Sequence, residues 1–184
     1  MIPYAFDVRG FFNTEVELHA YRDAIRDVRC PRCGAYALRK HGYGRGYVSP
    51  GEYGIRWWRV YCKPERGGCG HTPKLGLAST LIRYCLPGPM LWVFIGLLML
   101  GCSIKSAWEQ CCTGLSLDTG YRFFHRIERC QPILRTWLSA RAPPPECEGA
   151  HLLKTLMHLQ KVFGKDDAVR NYQITLQRSF LATT

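Results

Sequence analysis

The run Cys30-Pro31-Arg32-Cys33-Gly34 constrains this chain more than any other feature. Two residues between thiolates let both sulfurs face one cation while the backbone turns, and a following glycine tolerates positive φ. A second pair, Cys62 and Cys69, stands in Tyr61-Cys62-Lys63-Pro64-Glu65-Arg66-Gly67-Gly68-Cys69-Gly70. Its spacing is wider, but Pro64, Gly67 and Gly68 permit a bulged knuckle. Each pair adjoins a segment rich in aromatic and β-branched residues, 36–41 and 55–61, that reads as a strand. Two loops clamping one ion at the end of a small antiparallel sheet make a zinc ribbon. The expected site is therefore a tetrathiolate of Cys30, Cys33, Cys62 and Cys69 around one Zn²⁺, with His41 or His71 as rivals for one position. Four protein ligands leave no coordination position for a reacting water, so the ion is expected to be structural.

Ten cysteines could instead suggest a secreted disulfide scaffold. The opening Met1-Ile2-Pro3-Tyr4-Ala5-Phe6-Asp7 has no basic stretch followed by an apolar one, and six of the cysteines are scattered among large apolar residues. That pattern suits a reducing, cytoplasmic setting, with four thiolates on metal and the other thiols packed as small hydrophobes. The charge is lopsided: 25 Lys and Arg stand against 14 Asp and Glu, a formal +11. Such a balance points to a polyanionic partner, nucleic acid or an anionic membrane. The span from Arg83 to Lys105 carries no charge, but Pro87, Gly88, Pro89, Gly96 and Gly101 interrupt it. Its continuous apolar part falls short of the roughly 20 residues a bilayer requires, so no membrane partner is expected.

The reading is α+β: a lead segment (1–29), the ribbon (30–76), a helical bundle (77–141), and a Pro-rich linker with a helical tail (142–184). The lead reads as a short helix, or a helix and a strand, over residues 12–28. Residues 42–51, rich in glycine, read as a loop between the ribbon strands. Helical segments are expected at 78–84, 90–100, 104–112, 117–129 and 133–140, with one or two more between 152 and 180. Residues 103–109, a glycine-containing turn and residues 117–129 follow helix-turn-helix order, with Ser116 or Asp118 capping the second helix. On that helix Leu117, Tyr121, Phe124 and Ile127 project to an expected core side, and Arg122, His125, Arg126 and Arg129 to another face. A basic stripe held by an apolar one is what a DNA-reading helix needs. On the ribbon the corresponding residues are Arg39, Lys40, Arg45, Arg56 and Arg59, with Tyr43, Tyr47 or Trp57 able to stack on bases. Cys147, His151 and His158 form a weaker, ligand-like interval.

The motif CPRCG, a basic strand, a second cysteine pair closing on Cys69-Gly70, an apolar helix and Ser103-Ile104-Lys105-Ser106-Ala107-Trp108-Glu109 together resemble the zinc-ribbon and helix-turn-helix region of bacterial insertion-sequence transposases. They are similar also to stand-alone zinc-ribbon proteins of mobile elements. The likeness spans roughly residues 28–140. Such transposases continue into an acidic-triad nuclease domain, for which the stretch after Ala140 is too short. The resemblance thus implies a DNA-binding accessory or regulatory factor without the nuclease; the expected partner is DNA, duplex ahead of single strands. A transposase, recombinase or polymerase that the ribbon docks onto is the alternative partner. No phosphate-binding glycine loop, zinc-protease motif or nucleophile–base pair is evident, and no enzyme activity is expected.

Overall fold

The glycine-rich stretch expected as a loop continues the strands on either side of it. In the computed structural model, which describes residues 9–49, 51–81, 84, 86–111 and 114–182, β2 (Leu38–Ser49) and β3 (Glu52–Cys62) form one long antiparallel hairpin. Leu38 lies opposite Cys62 at its base and Ser49 opposite Glu52 at its tip, with three register shifts between. The glycines permit close cross-strand packing. A Cβ on Gly44 would meet the Trp57 ring at 2.1 Å, and one on Gly46 would meet Arg56 Cδ at 2.5 Å. Large side chains of β3 thus cover the bare positions of β2, supplying the packing that glycine lacks.

Two further strands complete the sheet. β4 (Lys74–Leu77) pairs antiparallel with β3, and β1 (Phe11–Phe12) pairs parallel with β4, giving the order β1-β4-β3-β2. The lead segment is therefore part of the sheet unit. After β1 the chain enters α1 (Glu15–Asp23) through a capping arrangement: Thr14 Oγ1 accepts from the Glu17 amide at 3.2 Å, and the Glu17 carboxylate accepts from the Asn13 amide at 3.1 Å. α1 places Leu18 in a core with Phe12, Ile25, Leu38, Val60 and Leu75, to which Cys30 and Cys62 also belong. Residues 78–79 form a turn after β4; the helical segment expected over 78–84 lies partly outside the described residues.

The chain divides into two units, Met1–Cys85 and Leu86–Thr184. The second is helical: α2 (Gly88–Met99), α3 (Ile104–Gln110), α4 (Leu117–Ser139), α5 (His151–Phe163) and α6 (Ala168–Leu176). Among the described residues the protein is thus α+β, one four-stranded sheet and six α-helices. None of those helices is long and apolar enough to cross a membrane.

Two expected segments, 117–129 and 133–140, are one helix running through Pro132. An interior proline costs about 3 kcal/mol. Here the buried stripe Gly120, Phe123, Ile127, Cys130, Leu134 and Leu138 passes it unbroken, so packing on both sides holds the helix together. That stripe also corrects the phase expected from sequence. Phe123 is buried and Tyr121 is 41% exposed. The residues beyond the proline run 143–145 belong to the bundle: His158 Nε2 lies 2.9 Å from the Ala142 carbonyl, Lys161 donates to the Pro143 carbonyl, and α5 packs on α4.

α3 meets α4 where Trp108 lies over Gly120. A Cβ there would come 2.7 Å from the indole, and the ring also contacts Phe94 and Phe123. Gly120→Val is expected to destabilise the helical unit by about 1–3 kcal/mol through overpacking. A melting curve indistinguishable from the parent would show that the Trp108 contact is not close-packed.

Candidate metal centre

Each half of the cysteine cluster is shaped by backbone hydrogen bonds before any ion is considered. In the first knuckle the Gly34 amide donates to the Cys30 carbonyl at 2.8 Å and the Cys30 amide to the Ala35 carbonyl at 2.9 Å, with Gly34 at φ 76°. The wider second knuckle spends its extra residues on a single 3₁₀ turn, Pro64–Arg66, closed by Gly67 at φ 74°. The chain then returns, the Gly68 amide donating to the Lys63 carbonyl and the Gly70 amide to the Cys62 carbonyl. Gly68 is required by space: a Cβ would lie 2.5 Å from the Lys63 carbonyl oxygen and 2.6 Å from Cys62 Sγ. Lys63 N donates to the Ala37 carbonyl at 3.0 Å, tying the two knuckles together.

The result brings all four sulfurs within 4.8 Å of one another. Cys30 Sγ and Cys69 Sγ are 3.7 Å apart, as are Cys33 Sγ and Cys62 Sγ. A tetrahedron with metal–sulfur bonds of about 2.3 Å, the length found in zinc thiolates, has sulfur–sulfur edges of about 3.8 Å. The donor set and its spacing therefore fit one thiophilic metal ion. Neither histidine weighed as a substitute joins the cluster. His41 packs its ring on Tyr61 at 5.3 Å, and His71 contributes a backbone carbonyl that accepts from the Cys62 amide.

The thiols are electrostatically unequal. Cys33, exposed, is lowered to about 7, chiefly by the Ala35 amide hydrogen bond to its sulfur. Cys62 is pushed up to about 12, mainly by burial. Cys69 receives a hydrogen bond from the His71 amide, but burial and the neighbouring thiols outweigh it and leave its pKa raised. A metal must displace protons from the raised pair, so acid competes with it.

The basic residues singled out from sequence fall into distinct settings. Arg39 and Lys40 stand on β2 at the base of the hairpin, and Lys40 Nζ pairs with Asp23 at 2.5 Å. Arg45 and Arg59 are exposed farther along, Arg59 donating to the Tyr43 carbonyl. Arg56 is 4% exposed and donates to the Leu81 carbonyl, so it holds the chain together and does not face outward. On α4, Arg122 and His125 are exposed and engaged with Asp118 (2.7 Å) and Glu128 (2.9 Å), and Arg129 is exposed. Arg126 is half-buried, its Nε donating to the Leu181 carbonyl at 3.1 Å. Among the described residues Cys147, His151 and His158 do not assemble a ligand cluster.

Sequence reasoning missed three cations. Arg26, Lys63 and Arg66 join Arg39, Lys40 and Asp23 around a cleft of about 500 Å³ beside the second knuckle. Lys63 directly follows a ligand, a signal available in the sequence; Arg26 reaches the cleft only through the fold.

Compared with known proteins, the chain matches no protein-family model, no curated protein and no solved structure at a significant level.

Lowering the pH from 8 to 6 is expected to weaken metal uptake steeply, with about two or more protons released per ion, those of Cys62 and Cys69 among them. Competition titrations across that range measure the slope, and an affinity independent of pH would exclude thiolate ligation. Chelation should collapse the amide NMR dispersion of Leu38, Val60 and Leu75, because two of the ligands belong to their core.

Proposed function

We propose that this chain is a zinc-stabilised, non-catalytic DNA-binding protein, a transposase-like accessory or regulatory factor of a mobile element. One Zn²⁺ held by Cys30, Cys33, Cys62 and Cys69 would serve as a structural ion, since a full set of protein thiolates leaves no place for substrate. In this reading the sheet unit is a ribbon, and α3 with α4 is a helix-turn-helix-like pair.

The observation that carries the proposal is the cleft beside the metal loop. Five cations, Arg26, Arg39, Lys40, Lys63 and Arg66, surround one carboxylate there. Lys40 beside Asp23 holds that carboxyl below its usual range, so the acid remains an anion and neutralises one cation only. The surplus suits phosphate groups, which Lys and Arg bind in sequence-independent fashion. On α4, Arg129 and Arg122 are exposed, Arg122 paired with Asp118 at 2.7 Å, so this face can offer a phosphate contact only by exchanging that pair, while Arg126 is engaged in packing.

A salt series tests this. Binding of zinc-loaded protein to labelled random duplex should weaken with a log–log slope of several units, and Lys63→Ala with Arg66→Ala should lower that slope by about one to two. Arg122→Ala should weaken binding without changing the melting temperature, whereas Arg126→Ala should lower it, since a packed side-chain bond is lost. No binding at low salt would remove DNA as the partner and leave docking onto a transposase, recombinase or polymerase.

A further inference from the structure

Beyond the cleft, the same hairpin carries a row of rings, with Arg45 laid over one of them and Arg22 of α1 over another. The Arg22 guanidinium lies 4.0 Å over the Trp58 ring, Trp58 meets Tyr43 edge-on at 5.4 Å, and Arg45 lies 5.2 Å over Tyr43. Farther out Tyr47 and Tyr53 pair across the strands at 5.6 Å. These rings face solvent: Tyr43 is 41% exposed, Tyr47 48% and Tyr53 64%, and Ile55 between them is 42% exposed. Between Leu38 and Cys62 the hairpin has five Arg or Lys and a single acid, Glu52. Exposed tyrosines add nothing to the core, and a strand needing only solubility would carry charged residues there.

We infer that this arm is a base-stacking platform for single-stranded nucleic acid, the strand's phosphates held by the cleft at the hairpin base and by Arg45, its unpaired bases laid on Tyr43, Tyr47 and Tyr53. The inference rests on the nucleic-acid reading above and adds to it the state of the strand. Duplex DNA presents its π-faces only to neighbouring base pairs, so exposed rings on a projecting arm have nothing to stack on in an intact helix. An unpaired strand offers a π-face at every nucleotide, and alternating rings and cations match its alternation of base and phosphate. Bases would displace the Arg45–Tyr43 stack and retain the guanidinium as a phosphate partner.

The test uses the zinc-loaded full chain and three labelled probes of equal length: oligo-dT, the same strand with abasic sites, and a random duplex. The wild-type protein is expected to bind oligo-dT at least as tightly as duplex and to lose about tenfold or more on the abasic strand, with tyrosine fluorescence quenched by oligo-dT alone. Tyr47→Ala with Tyr53→Ala should lose oligo-dT affinity by a similar factor, leaving duplex binding unchanged and lowering the melting temperature only slightly through loss of their cross-strand pair, while Tyr47→Phe with Tyr53→Phe should retain both. Equal affinity for dT and abasic strands would overturn the stacking platform while leaving the phosphate reading in place. Failure to bind any of the three probes would overturn both.

Discussion

The sheet unit is organised around one convergence, four cysteine sulfurs brought within 4.8 Å of one another. Cys30 and Cys62 are at once ligands and core residues, packed with Phe12, Leu38, Val60 and Leu75. An ion held by the quartet would add to that core and couple folding to ligation in one equilibrium. The knuckle hydrogen bonds explain why the sulfurs converge with no large rearrangement: the Cys30–Gly34 and Cys62–Gly70 bonds close each loop locally. Ligation would therefore act on loops already near their bound shape.

The quartet was legible because its chemistry is local. Two residues between thiols and a following glycine state their purpose without tertiary context, and even the wide second knuckle announced itself through Pro64 and paired glycines. The choice against His41 and His71 was not legible, because it depends on where the sheet sends those side chains. The length of the hairpin was also hidden. Glycines at 42, 44 and 46 carry a turn signal, and only the cross-strand register shows that Trp57 and Arg56 occupy the space they leave. β1 is two residues long and parallel, a pairing that no local pattern encodes.

The α4 stripe illustrates a different limit. Its buried positions include Gly120 and Cys130, which do not read as apolar anchors, so of the expected core side Ile127 is buried while Tyr121 and Phe124 fall one residue beyond the buried Gly120 and Phe123. The shift decides function as well as packing. Arg126, placed by sequence among outward cations, turns to the Leu181 carbonyl, and the exposed set becomes Arg122, His125 and Arg129. Arg56 makes the same point in the sheet, where a cation expected outside is spent on the Leu81 carbonyl.

The metal loop and the cationic cleft are linked by the chain itself. Lys63 follows Cys62 directly, and Arg66 ends the 3₁₀ turn that carries the backbone back to Cys69. Any ion fixing both cysteines therefore fixes two of the five cations, while Arg39 and Lys40 are fixed by the sheet that the same ion stabilises. Placing cations together costs Coulomb energy, which small shifts of the loop would let Lys63 and Arg66 relieve. Ligation removes that freedom, holding the positive charges where a phosphate can meet several at once. A ligand that binds this preorganised arrangement stabilises the ligated state in turn, since linkage between two binding events is reciprocal. In the proposed function the structural ion thus affects affinity without touching the partner, by limiting how far the cleft's cations can move apart.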